Sequence, residues 1–219
     1  DGIYIITGLT PGTYKLRTSN SQGYVNEWYD DLPITTNHTD ATSVDVSAAN
    51  ATGKNFQLQP GHSISGTITD AGDQPIPDVW VWAVDTAGDW VANGWTASDG
   101  TYTITNRVPG VYKRLTGNNA GYCDEWYDNI YYYDGDMSAT PVDITSADAT
   151  GKDFQLQLGR SISGTVTAFG GGSLTDVWVG AVDTTGRWVT SARCAADGTY
   201  TISKLLPGSY RLSTGNSAG

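Results

Sequence analysis

Short runs in which apolar and polar residues alternate recur along the whole chain. In Ser63–Asp70, Ile64 and Ile68 fall on one side and the serine and threonine residues on the other, which is the period of a half-buried β-strand. Between residues 63 and 160 the alternation and the turn clusters rich in Gly, Pro and Asp predict about seven strands. These are Ser63–Asp70, Val79–Val84, Trp90–Ala97, Thr101–Thr105, Val111–Gly117, Thr140–Thr145 and Lys152–Leu158. No stretch has a sustained helical period, so the sequence predicts an all-β fold.

The same patterns return at a fixed distance of 98 residues. The segment at 63 reads SISGTITD and the one at 161 reads SISGTVTA, while GYVNEWYD at 23 returns as GYCDEWYD at 121. Such a period indicates tandem structural units. We divide the chain into the C-terminal part of a repeat (1–62), one complete unit (63–160) and the N-terminal part of a repeat (161–219). Two expectations stay open: a window on a longer array, or end segments completed by neighbouring chains.

Composition and charge narrow the class of protein. The 219 residues include 12 Lys and Arg against 23 Asp and Glu, a net charge of −11. An acidic chain of this kind is unsuited to nucleic-acid phosphates or to anionic lipid. No apolar run approaches the roughly 18 residues of a membrane-spanning helix. We therefore predict neither nucleic-acid binding nor membrane insertion of this segment.

Catalytic and cofactor chemistry is sparse in the sequence. His38 and His62 are the only imidazoles, and Arg160 stands where the repeat would place His62 again. No nucleophile elbow, phosphate-binding loop or zinc-protease motif occurs. We predict that the chain is not an enzyme and holds no cofactor other than calcium. For calcium the best candidates are Asp134 and Asp136, because this ion takes several oxygen ligands from loop carboxylates, and solvated turn residues are the alternative.

The motifs of the complete unit, taken together, resemble the carboxypeptidase regulatory-like domain. They are Gly66–Asp70, Val79–Ala83, Asp99–Tyr102 and Val108–Tyr112. The resemblance extends over the whole unit and over both end segments. It implies tandem Ig-like or prealbumin-like (transthyretin-like) β-sandwiches of about seven strands. It also implies non-catalytic modules of secreted or cell-surface proteins, including accessory domains of enzymes.

Trp80 and Trp82 form the first candidate contact surface. They alternate with Val79, Val81 and Ala83, so if the aliphatic side chains face the core, both indoles face away from it. They would then cover the sheet face or pack on a neighbouring domain. The other interpretation is a sugar-stacking platform, which is weakened because glycine replaces the second tryptophan in the next repeat.

The second candidate surface lies in the segment GYCDEWYDNIYYYDGD, which begins at residue 121. It includes Trp126, Tyr131, Tyr132 and Tyr133 in a stretch expected to connect strands. Aromatic clusters of this size are costly to leave in water. The segment is therefore predicted to contact a consecutive or adjacent unit, or to pack over the end of its own sandwich.

Four residues are candidates for covalent modification. Cys123 and Cys194 lie in successive repeats, and neither cysteine recurs in the other repeats. A disulfide across the junction is one interpretation; pairing within one domain and free thiols are the others. Asn37 and Asn50 begin N-glycosylation sequons, whose use would require a secretory route.

These observations favour a non-catalytic structural protein, an extracellular stalk or fibre of tandem β-sandwiches. The junctions QPGHSIS and QLGRSIS leave almost no flexible linker. The expected partners are other copies or repeats of the same protein, which would assemble head-to-tail into filaments. The alternative is a carbohydrate-binding or adhesive accessory module of a larger secreted protein, with glycans as partners. Both hypotheses predict an extracellular or cell-surface location.

Overall fold

The computed structural model describes residues 2–34, 37–132 and 139–216. All regular structure in these ranges is β, in 18 strands, so the predicted all-β class is confirmed. None of the described residues forms a helix that could cross a membrane. The chain divides into two compact units. One contains Asp1–Ser63, Thr105–Gly110 and Ile144–Asp148, and the other contains Ile64–Ile104, Val111–Asp143 and Ala149–Gly219.

The first compact unit has two pairs of short strands. Strand β1 (Thr13–Lys15) pairs antiparallel with β4 (Ser43–Asp45), and β2 (Glu27–Trp28) forms a hairpin with β3 (Leu32–Pro33). Left-handed backbone at Asp30 and Asp31 turns this hairpin, a conformation that aspartate tolerates better than most residues. The motif EWYD is therefore a hairpin and not an irregular connection.

An open groove of about 1120 Å³, lined by polar and apolar residues alike, lies in the same unit. Tyr4, Ile6 and Phe56 are among the residues that line it. Tyr4 and Ile6 are 46% and 53% exposed, whereas Tyr102 and Ile104, their counterparts 98 residues later, are 2% and 1% exposed. The same sequence positions thus lie open in the first unit and buried in the complete repeat.

The described residues of the complete repeat, with His62 before it, form nine strands in two sheets. They are β5 (His62–Asp70), β6 (Trp80–Val84), β7 (Trp90–Trp95), β8 (Thr101–Arg107), β9 (Val111–Gly117), β10 (Glu125–Trp126), β11 (Ile130–Tyr131), β12 (Val142–Asp143) and β13 (Phe154–Leu156). One sheet has the order β11-β10-β9-β6-β7, with β12 also paired to β9, and the other has the order β13-β5-β8. Strand β13 runs parallel to β5.

The core of the complete repeat is built from the inward-facing positions of these strands. Val79, Val81 and Ala83 are fully buried, as the alternation predicts. The opposite sheet contributes Ile64 and Ile68, which are also fully buried. The predicted inward positions of these five side chains are therefore confirmed, whereas Val84, on the outward side of β6, is also fully buried, in a cluster with Trp126.

Between residues 160 and 216 the chain forms five further strands, all in the second compact unit. They are β14 (Arg160–Thr165), β15 (Val177–Val182), β16 (Trp188–Arg193), β17 (Thr199–Leu205) and β18 (Arg211–Asn216). Strand β14 pairs with β17, and β15 lies between β16 and β18. Their core consists of Val177, Val179, Ala181, Cys194, Ile202 and Leu205.

The Asp-Gly-Thr turns before β8 and β17 have the same local structure. The Asp99 carboxylate accepts hydrogen bonds from both the amide and the hydroxyl of Thr101, and Asp197 does the same with Thr199. These bonds lower the pKa of both carboxyls. The intervening Gly100 has φ +76° and lies against the Ile68 carbonyl, so a side chain there would be strained and would clash.

Candidate functional site

Four tryptophans cluster on the outer face of the sheet of the complete repeat. We call Trp80, Trp82, Trp90 and Trp95 the tryptophan face. The rings of Trp80 and Trp95 have centroids 3.8 Å apart, those of Trp80 and Trp82 stack at 5.3 Å, and those of Trp82 and Trp90 meet edge to face at 5.5 Å. Trp90 and Trp95 are 55% and 49% exposed. The face therefore presents a continuous aromatic surface to its surroundings.

Strand register brings these four rings together. Trp80 lies directly opposite Trp95 in the β6–β7 pair, and an irregularity after Ala83 places Trp90 opposite Val84. The sequence pointed to Trp80 and Trp82 through alternation within one strand. Trp90 and Trp95 were missed as site residues because their role depends on cross-strand neighbours. The turn between the two strands was the available signal, because it indicates that they pair as a hairpin.

The equivalent face in residues 161–219 is arranged differently. Gly180 stands where the repeat would place Trp82, and the ring of Trp188 lies so close that a Cβ atom on Gly180 would be 2.1 Å from it. Arg193 lies opposite Trp178 and pairs with Asp176 at 2.7 Å. The tryptophan face is thus specific to the complete repeat.

The aromatic segment after residue 121 adds two short strands to the edge of its own sheet. Trp126 is buried in a cluster with Val84, Leu115 and Ala139. The interpretation of Trp126 as an available contact residue is therefore wrong, because the β10–β11 hairpin turns its indole onto the outer face of the sheet. Tyr131 is half-buried and Tyr132 is exposed, so these two remain candidates for the contact surface.

A buried arginine lies inside the sandwich of the complete repeat. Its guanidinium donates a hydrogen bond to the Tyr102 hydroxyl. The Arg114 Cζ atom lies 4.0 Å from the Tyr127 ring centroid and 5.4 Å from that of Phe154. Burial lowers the pKa of Arg114, while the neighbouring tyrosines act in the opposite direction. This constellation holds a cation by aromatic rings, the Tyr102 hydroxyl and the Lys152 carbonyl.

Glu125 is a second buried charged group, at the start of the β10 hairpin. Its side chain is almost fully buried, and neither carboxylate oxygen has a hydrogen-bond partner among the described residues. Burial raises the pKa of Glu125 to about 7. Glu27, 98 residues earlier, also has a raised pKa, first through burial and then through Asp31.

The acidic turns use their carboxylates to hold the backbone. Asp70 accepts the amides of Gly72 and Gln74, and Asp85 accepts those of Ala87 and Asp89. In the described ranges no group of three or more His, Cys, Asp or Glu side chains could hold a metal ion. The predicted calcium ligands Asp134 and Asp136, like Tyr133, lie outside the described residues, and the calcium site stays a prediction.

The cysteines and sequons occupy contrasting environments. Cys123 and Cys194 are both buried free thiols, and the Cys123 Sγ atom donates to the Lys204 carbonyl. Burial raises the pKa of Cys123 to about 11. The disulfide between them is not formed in this structure and stays a prediction.

Asn37 and Asn50 are exposed, so both sequons are accessible, and their glycosylation also stays a prediction.

The fold was compared with solved structures and with curated proteins. The chain aligns with the Bacillus anthracis TIE protein at 15% identity and a TM-score of 0.36, covering 94% of this chain and 36% of that one. It aligns with a streptococcal ancillary pilin at 12% identity and a TM-score of 0.35, covering 94% and 66%. A putative adhesin from Bacteroides ovatus gives 12% identity, 65% coverage of both chains and a TM-score of 0.28. No curated protein matches the chain.

A comparison with protein-family models gives a match inside the complete repeat. The model of the carboxypeptidase regulatory-like domain matches residues 63–157. The match contains the four motifs on which the resemblance was based, from Gly66–Asp70 to Val108–Tyr112. It also contains the tryptophan face and the buried Arg114. Over residues 63–157 this chain is therefore similar to the carboxypeptidase regulatory-like domain.

Proposed function

We propose that the chain is a non-catalytic structural part of an extracellular or cell-surface protein, a stalk or fibre of tandem β-sandwiches. The observation that carries this proposal is the direct succession of repeats. Strand β5 begins at His62 and β14 at Arg160, immediately after the last residues of the preceding repeat. Backbone hydrogen bonds of 2.7 and 2.9 Å, from Gly61 to Gly23 and from Gly159 to Gly121, fix these ends. Ends fixed in this way leave no length for a flexible linker.

Electron microscopy of the full chain in negative stain tests this proposal. If the chain is part of a stalk, the particles should be elongated, with a length of roughly 35–45 Å for each repeat they contain. This is the span of strands of about 7–10 residues together with their turns. Particles in which the repeats take variable mutual orientations would contradict it. Small-angle scattering at several salt concentrations provides a second measure of the longest dimension.

Head-to-tail association of copies is the finer form of this proposal. It is supported by the repeat itself, because β14–β16 have the sequence type of β5–β7, and residues 1–62 have that of β8–β13, with which β5 and β6 pair in the complete repeat. Tyr4 is equivalent to the buried Tyr102. Sedimentation at increasing concentration should then show a growing series of oligomers, and Tyr4→Asp should abolish it. A monomer at all concentrations would favour a continuous polypeptide.

Carbohydrate binding is the second candidate function, and the exposed rings of Trp90 and Trp95 favour it. Adjacent indoles offer apolar surfaces on which the apolar side of a sugar ring packs. Titration with polysaccharides, followed by tryptophan fluorescence, tests this. The variant Trp95→Arg introduces the residue that residues 161–219 carry at this position and should remove the response. An unchanged spectrum at millimolar glycan would eliminate this candidate.

A further inference from the structure

Two junctions in the chain have the same backbone geometry. Asn106 and Lys204, 98 residues apart, both have left-handed backbone with φ +58°. A glycine lies against each of them: a Cβ atom on Gly61 would be 2.8 Å from the Asn106 Cα atom, and one on Gly159 would be 2.5 Å from the Lys204 Cα atom. Each junction therefore brings one side chain, at position 106 or 204, against the end of the preceding repeat.

At the second junction this side chain is the cation of Lys204, which binds a site formed by Asp124 and Asn118. We call this site the Asp124 socket, and its equivalent at the first junction, formed by Asn26 and Asn20, the Asn26 socket. The Lys204 Nζ atom lies 2.7 Å from the Asp124 Oδ2 atom and also donates to the Asn118 carbonyl. The Asn118 amide donates to the other oxygen of Asp124 at 2.8 Å. The side chains of Lys204 and Asp124 are only 28% and 23% exposed. The ion pair is therefore largely shielded from water, where the loss of one partner is costly.

At the first junction the same framework carries no charge. The Asn106 side chain donates to the Asn20 carbonyl at 3.1 Å, and the Asn20 amide donates to the Asn26 side-chain oxygen at 2.7 Å. Asn106 stands where the repeat later has Lys204, and Asn26 stands where it later has Asp124. The two positions thus differ together between junctions: both are neutral in one and oppositely charged in the other.

We propose that these two positions determine which pairs of repeats form a stable junction when one follows the other. A repeat that ends in the Asp124 socket accepts a successor with lysine at the position of Lys204, and a repeat with the Asn26 socket accepts one with asparagine. In a mixed junction, lysine meets the Asn26 socket or asparagine meets the Asp124 socket. A charged group then lies shielded from water without an opposite charge, and this lowers the stability of the mixed junction relative to the matched one. This selection goes beyond the proposed structural function, because it holds whatever the chain does.

Hydrogen exchange in the full-length chain tests the proposal at the second junction. The reporters are the amides of Cys123 and Gly159, which bond to carbonyls across the end of the repeat. Lys204→Asn alone and Asp124→Asn alone should each lower their protection by about 5- to 30-fold. The double variant, which reproduces the neutral junction, should return to within about threefold of wild type. Losses that multiply in the double variant would overturn the proposal.

The first junction provides the matched control, in which charges are introduced instead of removed. Asn106→Lys alone places a cation against a neutral socket and should lower protection at the amides of Val25 and Gly61, which bond across this end. Adding Asn26→Asp should restore it. The Val166 amide, bonded to the Gly198 carbonyl away from both junctions, should not change in any variant. Full protection in Asn106→Lys alone would show that the position does not discriminate.

Discussion

The guanidinium carbon of Arg114 lies 4.0 Å from the centroid of the Tyr127 ring, and the arginine is completely buried. Its Nε and Nη2 atoms have no hydrogen-bond partner among the described residues. The equivalent positions, 98 residues earlier and later, are Leu16 and Leu212. The complete repeat therefore holds a cation at a position where the neighbouring repeats hold an apolar side chain.

Arg114→Leu should raise the free energy of unfolding by about 1 kcal/mol. The desolvation cost of an unpaired buried cation exceeds what ring contacts and hydrogen bonds return, so an apolar replacement is stabilising. Urea unfolding monitored by circular dichroism measures the change. As a control, Arg17→Leu removes an exposed arginine 5.9 Å from the Trp28 ring and should change stability by less than about 1 kcal/mol. A clear loss of stability in Arg114→Leu would show that the aromatic contacts outweigh the desolvation cost.

Gly117→Ala should destabilise the protein by about 1–3 kcal/mol, because its Cβ atom would be 2.3 Å from the Trp82 ring. The matched control is Gly215→Ala, at the equivalent position, where no atom lies within 4 Å. The difference arises because Gly180 replaces Trp82 in that repeat. Thermal unfolding of both variants provides the test, and equal losses would contradict the placement of the Trp82 ring.

The inward and outward positions of the long strands were predictable from the sequence. Alternation alone placed Val81 in the core and Trp82 on the outer face, because side chains in a strand point to opposite faces. The same rule could not place Trp126. Its burial depends on the pairing of the two-residue strand β10 with β9, which places Trp126 opposite Leu115, and a strand of that length shows no detectable period. The partnership of Trp80 with Trp95 depends on register, which a single sequence does not fix.

Gly66→Ala should be the more damaging of two equivalent substitutions. Its Cβ atom would be 2.3 Å from the Lys152 carbonyl oxygen, whereas that of Gly164 would approach only the Tyr200 side chain, at 3.0 Å. The Lys152 backbone is hydrogen-bonded to the Ser65 carbonyl and has little freedom to move, but a tyrosine ring can rotate. We expect a loss of about 2–3 kcal/mol for Gly66→Ala and less than half of that for Gly164→Ala. Denaturant midpoints of the two variants decide the order, and the reverse order would contradict the placement of the Lys152 backbone beside β5.

Glu125 should make the protein less stable as the pH rises through the weakly acidic range. Its pKa is about 7 in the folded chain against an ordinary value of 4.5, so the folded state binds the proton more tightly than the unfolded state does. The contribution of this group to stability is then fully present below about pH 4.5 and is lost progressively up to about pH 7.

Glu125→Gln mimics the neutral acid and should remove this loss. Near pH 7 and above, the variant should be more stable than wild type by up to about 3 kcal/mol, and near pH 4.5 the two should be similar. Urea unfolding at about pH 5 and about pH 8 measures the difference. Glu27→Gln is the matched control: its carboxyl is less buried, so its effect should have the same sign and be smaller. A variant that is less stable than wild type at about pH 8 would show that the Glu125 carboxylate is stabilised by a partner in solution.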